Sequence, residues 1–250
     1  MLSDILWVLI ILLFALPGLK YPYIALCGVI FVDIVKPQTL SYSFLAGKPI
    51  ALIIALIFFF SLVVNRKQLS IPRKKLSTGL LIFFMAWITL ATYNAEFQTA
   101  AWMKYDYVIK YLFFPLFIPF VLNNRIRIDT FIAVMVCSIG FFTIVLGVKS
   151  IVGGSGYGEQ FIFSTQSNTG MTESSTMSML AVFNLPFIIY IARYSIFKDK
   201  IPFLKPTSYF LGLTSLLSVV GSYARTGLVG LFVWVLLLLK ETKKKFKYIL

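Results

Sequence analysis

The sequence contains no histidine, only two cysteines and few acidic residues. Its 250 residues hold 9 Asp and Glu against 23 Lys and Arg, a formal net charge of +14. Without histidine, the commonest general base and metal ligand is missing. Cys27 and Cys137 lie in apolar runs, where we expect buried small hydrophobes rather than a disulfide. Because no other cluster has metal-ligand spacing either, we expect neither a metal nor a cofactor.

The composition is that of a membrane protein, because 59% of the residues are hydrophobic and only 13% are charged. Apolar runs of about 15–20 residues approach the length that crosses a bilayer, and they are continuous rather than alternating, which excludes a β-barrel. The sequence predicts an all-α polytopic transmembrane helical bundle, a single domain over 1–250.

The start, MLSD, lacks the basic region of a signal peptide, so we expect the first segment to stay in the membrane. About nine segments are predicted: 5–19, 22–35, 50–64, 77–93, 107–122, 130–148, 175–192, 207–222 and 226–239.

Basic residues are concentrated in alternate connections between these segments. The connections 20–21, 65–76, 123–129, 193–206 and 240–250 hold 17 of the 23 Lys and Arg residues. By the positive-inside rule, these connections and the carboxyl terminus are expected to be cytoplasmic. Anionic membrane lipids are therefore the expected partners of the charge, in preference to nucleic acid.

Two of the connections predicted on the outer face are long enough to carry a site. Residues 94–106 mix aromatic and charged residues, as an interfacial helix would. Residues 149–174 form the longest polar outer loop, with GGSGYG at 153–158. That glycine run neither follows a strand nor precedes GK[ST], so we interpret it as a flexible turn rather than a phosphate loop.

Several charged residues are candidates for a site, each with a structural alternative. Glu159 and Glu173 flank the outer loop as a conceivable catalytic pair or as solvated charges. Glu173 is the better candidate because it precedes a predicted helix, whose positive N-terminus would complement it. Asp106 and Lys110 have the i,i+4 spacing of one helix face, which fits an ion pair as well as a ligand site.

Arg225 stands between two apolar runs in GSYARTGLVGL. An arginine at the bilayer centre costs about 2.5–3.5 kcal/mol on insertion scales, and less near the interface, where it snorkels. Thr226 and Gly227 open the next predicted helix, whose unpaired N–H groups attract anions. The planar guanidinium suits phosphate oxygens. A phosphate site at the outer face and a purely topogenic arginine are both compatible with these residues.

SYARTGLVGLFVWVLLLL resembles a helix start of the O-antigen ligase and polymerase superfamily. Residues 24–65, YVIKYLFFPLFIPFVLNNRIRI at 107–128, and the segments at 138–163 and 177–191 are similar to the amino-terminal region of exosortase-associated O-glycosylation ligases. The resemblance implies transfer of a glycan from undecaprenyl diphosphate to an acceptor hydroxyl, on the periplasmic face of a bacterial inner membrane. It implies that Arg225 contacts the diphosphate, with Lys110 and Lys149 near the same cavity.

The sequence departs from that family pattern in two places. Glu173 is followed by two serines, where relatives have two amides. Complete relatives also continue through further helices and a loop with a histidine base, so we expect this chain to be an amino-terminal portion or a shortened relative. A transporter or flippase for a lipid-linked oligosaccharide, and a non-catalytic membrane remnant, are the alternatives. No inverted repeat of the transporter kind is visible.

Overall fold

A computed structural model describes residues 2–41, 43–70, 76–152 and 174–247. Within these ranges the regular structure is helical and contains no strand, which confirms the all-α prediction. Two 3₁₀ segments occur, at Arg66–Gln68 and Phe114–Phe117. The α-helices are α1 (Leu2–Lys20), α2 (Pro22–Val35), α3 (Pro37–Leu40), α4 (Ile50–Val64), α5 (Leu76–Tyr93), α6 (Gln98–Phe113), α7 (Ile118–Val121), α8 (Arg125–Val152), α9 (Ser174–Tyr194), α10 (Leu204–Gly221) and α11 (Arg225–Lys247).

Five helical stretches of the described chain are long and apolar enough to cross a membrane, as a helical membrane protein requires. α4 is apolar but shorter. The nine predicted segments fall largely on helices, whereas the count of nine crossings stays a prediction. The five stretches are Ser3–Lys20, Pro22–Leu40, Leu76–Tyr93, Arg125–Val152 and Ser174–Tyr194.

The first helices pack around a continuous apolar core. Ile54 and Phe58 of α4 are fully buried, next to Leu26 of α2 and the partly buried side chains of α1. α2 starts with Pro22, where proline loses no hydrogen bond because the first helical N–H has no partner anyway. α2 also packs against α8, so it joins the first helices to the second group.

The second group consists of α8, α9, α10 and α11 and is joined through small residues. A Cβ on Gly147 of α8 would lie 2.6 Å from the carbonyl oxygen of Thr214 in α10, so the two backbones are in direct contact there. The hydroxyl of Ser215 donates to the hydroxyl of Thr143 on α8 at 3.2 Å. Small and hydroxylated residues are how membrane helices approach closely without a hydrophobic driving force between them.

The described parts of four predicted cytoplasmic connections meet at one end of the bundle, which we call the basic end. The side-chain amide of Gln68 donates to the carbonyl of Lys20, and Arg127 donates to the carbonyl of Gln68. Arg125 donates to the carbonyl of Tyr194 at 2.7 Å. These bonds join four connections that are distant in sequence, as alternating membrane crossings require.

A buried carboxylate joins α8 to α9 at the basic end. Asp129 has no exposed surface. One of its oxygens accepts a hydrogen bond from the Tyr190 hydroxyl at 2.7 Å, and the other accepts one from the Ile196 backbone N–H at 2.8 Å. The carboxylate therefore accepts a backbone N–H of the link that follows α9 and fixes this link to α8.

α5 and α6 form an antiparallel hairpin in which the hydroxyls of Thr89 and Tyr105 are 2.9 Å apart. The helix predicted at 94–106 has other bounds, because α6 begins at Gln98 and continues without a break to Phe113. The predicted segment 107–122 is shifted for the same reason. The location of residues 94–106 at the membrane interface stays a prediction. The α-helical pattern changes at Pro115, whose missing N–H and ring interrupt the hydrogen bonding of an α-helix.

Two further sequence-based expectations need correction. α8 extends beyond the predicted 130–148 at both ends, so Lys149 lies in its last turn rather than in the loop 149–174. Cys137 is exposed on α8, whereas Cys27 is buried, and both are free thiols. Hydropathy does not distinguish these two positions, because the lipid-facing and core-facing sides of a membrane helix are both apolar.

Candidate functional site at the start of α11

A three-residue link, 222–224, separates α10 from α11. The Ser222 hydroxyl donates to the carbonyl of Val219 at 2.8 Å and accepts from the N–H of Ala224 at 3.2 Å. Between them, Tyr223 has a φ of 49°, in the left-handed region that non-glycine residues rarely enter. The sharp reversal of the chain is thus built into the backbone, and it fixes where α11 begins.

Arg225 is the first residue of α11, and both Arg225 and Thr226 are exposed. Among the residues described by the structure, the guanidinium has no hydrogen-bond or ion-pair partner. The N–H of Leu228 donates to the carbonyl of Ala224. The N–H groups that precede it at the helix start have no carbonyl partner within α11. An exposed cation therefore stands beside unpaired donors, an arrangement able to bind an anion.

Gly227 is buried against α9 rather than open to a ligand. A Cβ at this position would lie 2.5 Å from both Cβ and Oγ of Ser178. The sequence suggested that a glycine here permits close backbone approach, and the structure shows that α9 is what approaches. Gly227 thereby holds the start of α11 against α9, which positions the two exposed residues that precede it.

Lys149 belongs to the same end of the bundle as Arg225. The hydroxyl of Ser150 lies 3.4 Å from the carbonyl oxygen of Leu217 on α10. α10 then ends four residues later and leads through the link to α11. Ser174, the first residue of α9, lies at this end as well, since Gly227 contacts Ser178. We call this the Arg225 end.

Lys110 belongs to a different packing group. Its ammonium is 2.5 Å from a carboxylate oxygen of Asp106, which confirms the predicted i,i+4 contact. α6 packs on α5, while α11 packs on α9 and α10. That Lys110 shares a cavity with Arg225 stays a prediction, and so does the binding of diphosphate at either position.

Three candidates lie outside the described residues: Glu173, Glu159 and the glycine run 153–158. Glu173 directly precedes Ser174. In the described part of the chain, no group of three His, Cys, Asp or Glu residues could hold a metal ion.

Sequence reasoning missed two residues that organise the ends of the bundle. Asp129 was assigned to a connection, yet it is buried and accepts two hydrogen bonds. Asp4 is also fully buried, and its carboxylate accepts from the N–H of Leu45 at 3.2 Å. Each aspartate lies at the margin of an apolar run, where an unpaired charge is costly. This position is the sequence feature that could have indicated a buried, hydrogen-bonded carboxylate.

A comparison with protein families identifies one match. The model of the family of unknown function DUF5935 matches residues 2–196, which ends before α10 and Arg225. No curated protein and no solved structure matches the chain. On the strength of a match over most of its length, the chain belongs to the DUF5935 family.

Proposed function

We propose that the chain provides the lipid-diphosphate site of a membrane glycosyltransferase, which moves a glycan from undecaprenyl diphosphate to an acceptor hydroxyl. The observation that supports this proposal is the exposed, unpartnered guanidinium of Arg225 at the start of a long helix. The resemblance of SYARTGLVGL to a ligase helix start supplies the identity of the anion. Arg225 and Thr226 are the proposed diphosphate-binding residues, and Gly227, which is buried against Ser178, positions them.

In this reaction the acceptor hydroxyl attacks the anomeric carbon as the bond from that carbon to the diphosphate oxygen breaks. Negative charge grows on the departing diphosphate. A guanidinium and helix N–H groups already in place stabilise that charge without reorganisation. The hydroxyl proton passes to a base, for which Glu173, next to the first residue of α9, is the candidate carboxylate.

The proposed location is the outer face of a bacterial inner membrane. The basic end contains the described connections rich in Lys and Arg, and the Arg225 end is opposite to it along α8, α9 and α10. If the basic end is cytoplasmic, as the positive-inside rule implies, Arg225 faces the periplasm.

The test compares two exposed arginines at opposite ends of the bundle. Arg225→Ala in the full-length protein, reconstituted in proteoliposomes with an undecaprenyl-diphosphate-linked glycan, is expected to reduce transfer about 10²–10³-fold, the usual effect of losing one transition-state donor. Arg225→Lys should retain an intermediate rate, because an ammonium keeps the charge but loses the planar fork.

Arg193→Ala, in the last turn of α9 at the basic end, is the matched control and should leave transfer unchanged. Binding of undecaprenyl diphosphate, measured separately by native mass spectrometry, should weaken only in the Arg225 variants. Full transfer by Arg225→Ala would exclude the diphosphate role.

A further inference from the structure

The Asp106–Lys110 ion pair lies level with the middle of a helix that is long and apolar enough to cross a membrane. The contact between Thr89 and Tyr105 fixes the register of α5 against α6. Both helices rise about 1.5 Å per residue. Lys110, five residues after Tyr105, is therefore level with Phe84, five residues before Thr89. Phe84 is close to the midpoint of α5.

This ion pair is open to its surroundings at that depth. The side chains of Asp106 and Lys110 are each 67% exposed. Hydrocarbon offers neither hydrogen bonds nor solvation to a charged side chain, so ionisable residues within membranes face water, a polar ligand or protein. The α6 face that presents the pair is thus poorly suited to contact with acyl chains.

The same α6 face forms one wall of a wedge. Phe113, seven residues after Asp106, lies on that face, and its ring packs against Phe59 of α4 with centroids 5.8 Å apart. Away from this contact the helices have separate partners, since α4 packs on α1 and α2 while α6 packs on α5. Leu52 and Leu56, which precede Phe59 on α4, are 60% and 59% exposed.

The wedge therefore has an aromatic apex, an apolar wall and a charged wall. α4 enters it from Ile50, and α6 enters from Gln98, at the end opposite the basic end. The wedge opens in that direction, because Phe59 and Phe113 lie nearer the other ends of their helices. An amphiphile matches these walls, with hydrocarbon on the leucines and a headgroup on the ion pair.

We propose that the wedge between α4 and α6 is a hydrated cleft that receives a zwitterionic phospholipid headgroup, such as phosphoethanolamine, at mid-depth in the membrane. Its phosphate complements Lys110 and its ammonium complements Asp106, which suits a pair without net charge. This site is independent of the glycosyl transfer proposed at Arg225, since it requires neither diphosphate nor that helix start.

Thiol labelling tests the hydration. In a Cys27→Ala/Cys137→Ala background, Leu56→Cys places a reporter in the cleft and leaves the ion pair intact. Phe84→Cys is the matched control, because Phe84 is exposed at the same depth and lies about 140° around α5 from Thr89, which contacts α6. In vesicles of phosphatidylglycerol, Leu56→Cys should react with a membrane-impermeant methanethiosulfonate at least about tenfold faster than Phe84→Cys, because only the cleft admits water.

Replacing the pair with leucines, Asp106→Leu/Lys110→Leu, should reduce the reactivity of Leu56→Cys to that of Phe84→Cys. Equal, slow labelling of both reporters with the pair intact would overturn the hydrated cleft. Fast labelling that survives the leucine substitutions would overturn the role of the ion pair. A monodisperse elution profile in detergent confirms that each variant is folded.

Lipid doping tests the headgroup. Phosphatidylethanolamine added to the phosphatidylglycerol vesicles should slow labelling of Leu56→Cys several-fold, whereas diacylglycerol with the same chains should not, because it lacks the headgroup charges. Equal protection by both lipids would show that only the chains bind and would overturn the headgroup assignment. Absence of protection by phosphatidylethanolamine would overturn it too.

Discussion

The basic end and the Arg225 end of the bundle are held together by different kinds of contact. At the basic end, side chains such as Arg125 and Asp129 bond to backbone groups of other connections. At the Arg225 end, helices meet through glycines, with Gly147 against Thr214 and Gly227 against Ser178. Charged side chains therefore take part in the structure at the first end, whereas the second end closes through glycines and serine hydroxyls and leaves the charge of Arg225 exposed.

This difference separates stability from ligand binding in a way that mutations can test. If the basic end serves only the fold, its disruption should lower stability and leave binding by the folded fraction unchanged. If the Arg225 end serves both, disruption of its packing should affect stability and binding together.

The largest effect on stability is expected for Asp129→Ala. The change leaves the partly buried Ile196 N–H and Tyr190 hydroxyl without their acceptor, and should reduce the free energy of unfolding by about 2–4 kcal/mol. Tyr190→Phe removes only one of the bonds and should cost about half as much. Unfolding in mixed detergent micelles measures both, and an Asp129→Ala protein as stable as wild type would contradict the assignment.

A smaller loss is expected for Gly147→Ala. The new methyl group would overlap the Thr214 carbonyl, which is backbone and cannot rotate away, so α8 and α10 must separate at a cost of about 1–3 kcal/mol. Gly212→Ala is the control on α10, because nothing lies within 4 Å of its would-be methyl group. It should be neutral or stabilise by up to about 1 kcal/mol. Equal effects of the two changes would show that the helices are not in close contact.

The smallest effect is expected for Gln68→Ala at the basic end. It removes the bond from the side-chain amide to the carbonyl of Lys20, but it also removes a buried side-chain oxygen that lacks a partner in the described structure. These contributions offset each other, so stability should change by less than about 0.5 kcal/mol. The backbone carbonyl that accepts from Arg127 is retained. A large loss would mean that the side chain contributes more than its visible bond.

Hydropathy predicted the helices, because it depends on residues that are near each other in sequence. The alternation of charge between successive segments then predicted which connections lie at the same end. The Asp106–Lys110 contact was predictable for the same reason as the helices, since i,i+4 spacing is local. Asp129 was not, because its partners Tyr190 and Ile196 are more than sixty residues away. A single sequence does not show that such a carboxylate accepts a hydrogen bond from a backbone N–H so distant along the chain.

The contacts of the glycines could not be predicted from the sequence either. Gly227 could be read as an opening for a ligand or for another helix, and both interpretations rest on the same missing side chain. Only the position of Ser178 decides between them. For α6, the sequence placed the polar residues 94–106 outside the membrane because charge is rare within spans. The structure makes residues 98–106 part of a helix that continues to Phe113, and their position relative to the membrane stays a prediction.

The link 222–224 makes the geometry of α11 sensitive to length as well as to composition. An inserted residue would lengthen the link, which now closes through the two hydrogen bonds of Ser222. Either those two bonds or the close contact of Gly227 with Ser178 would then have to be given up. The start of α11 thus depends on the length of the link as well as on Ser222 and on the left-handed backbone at Tyr223.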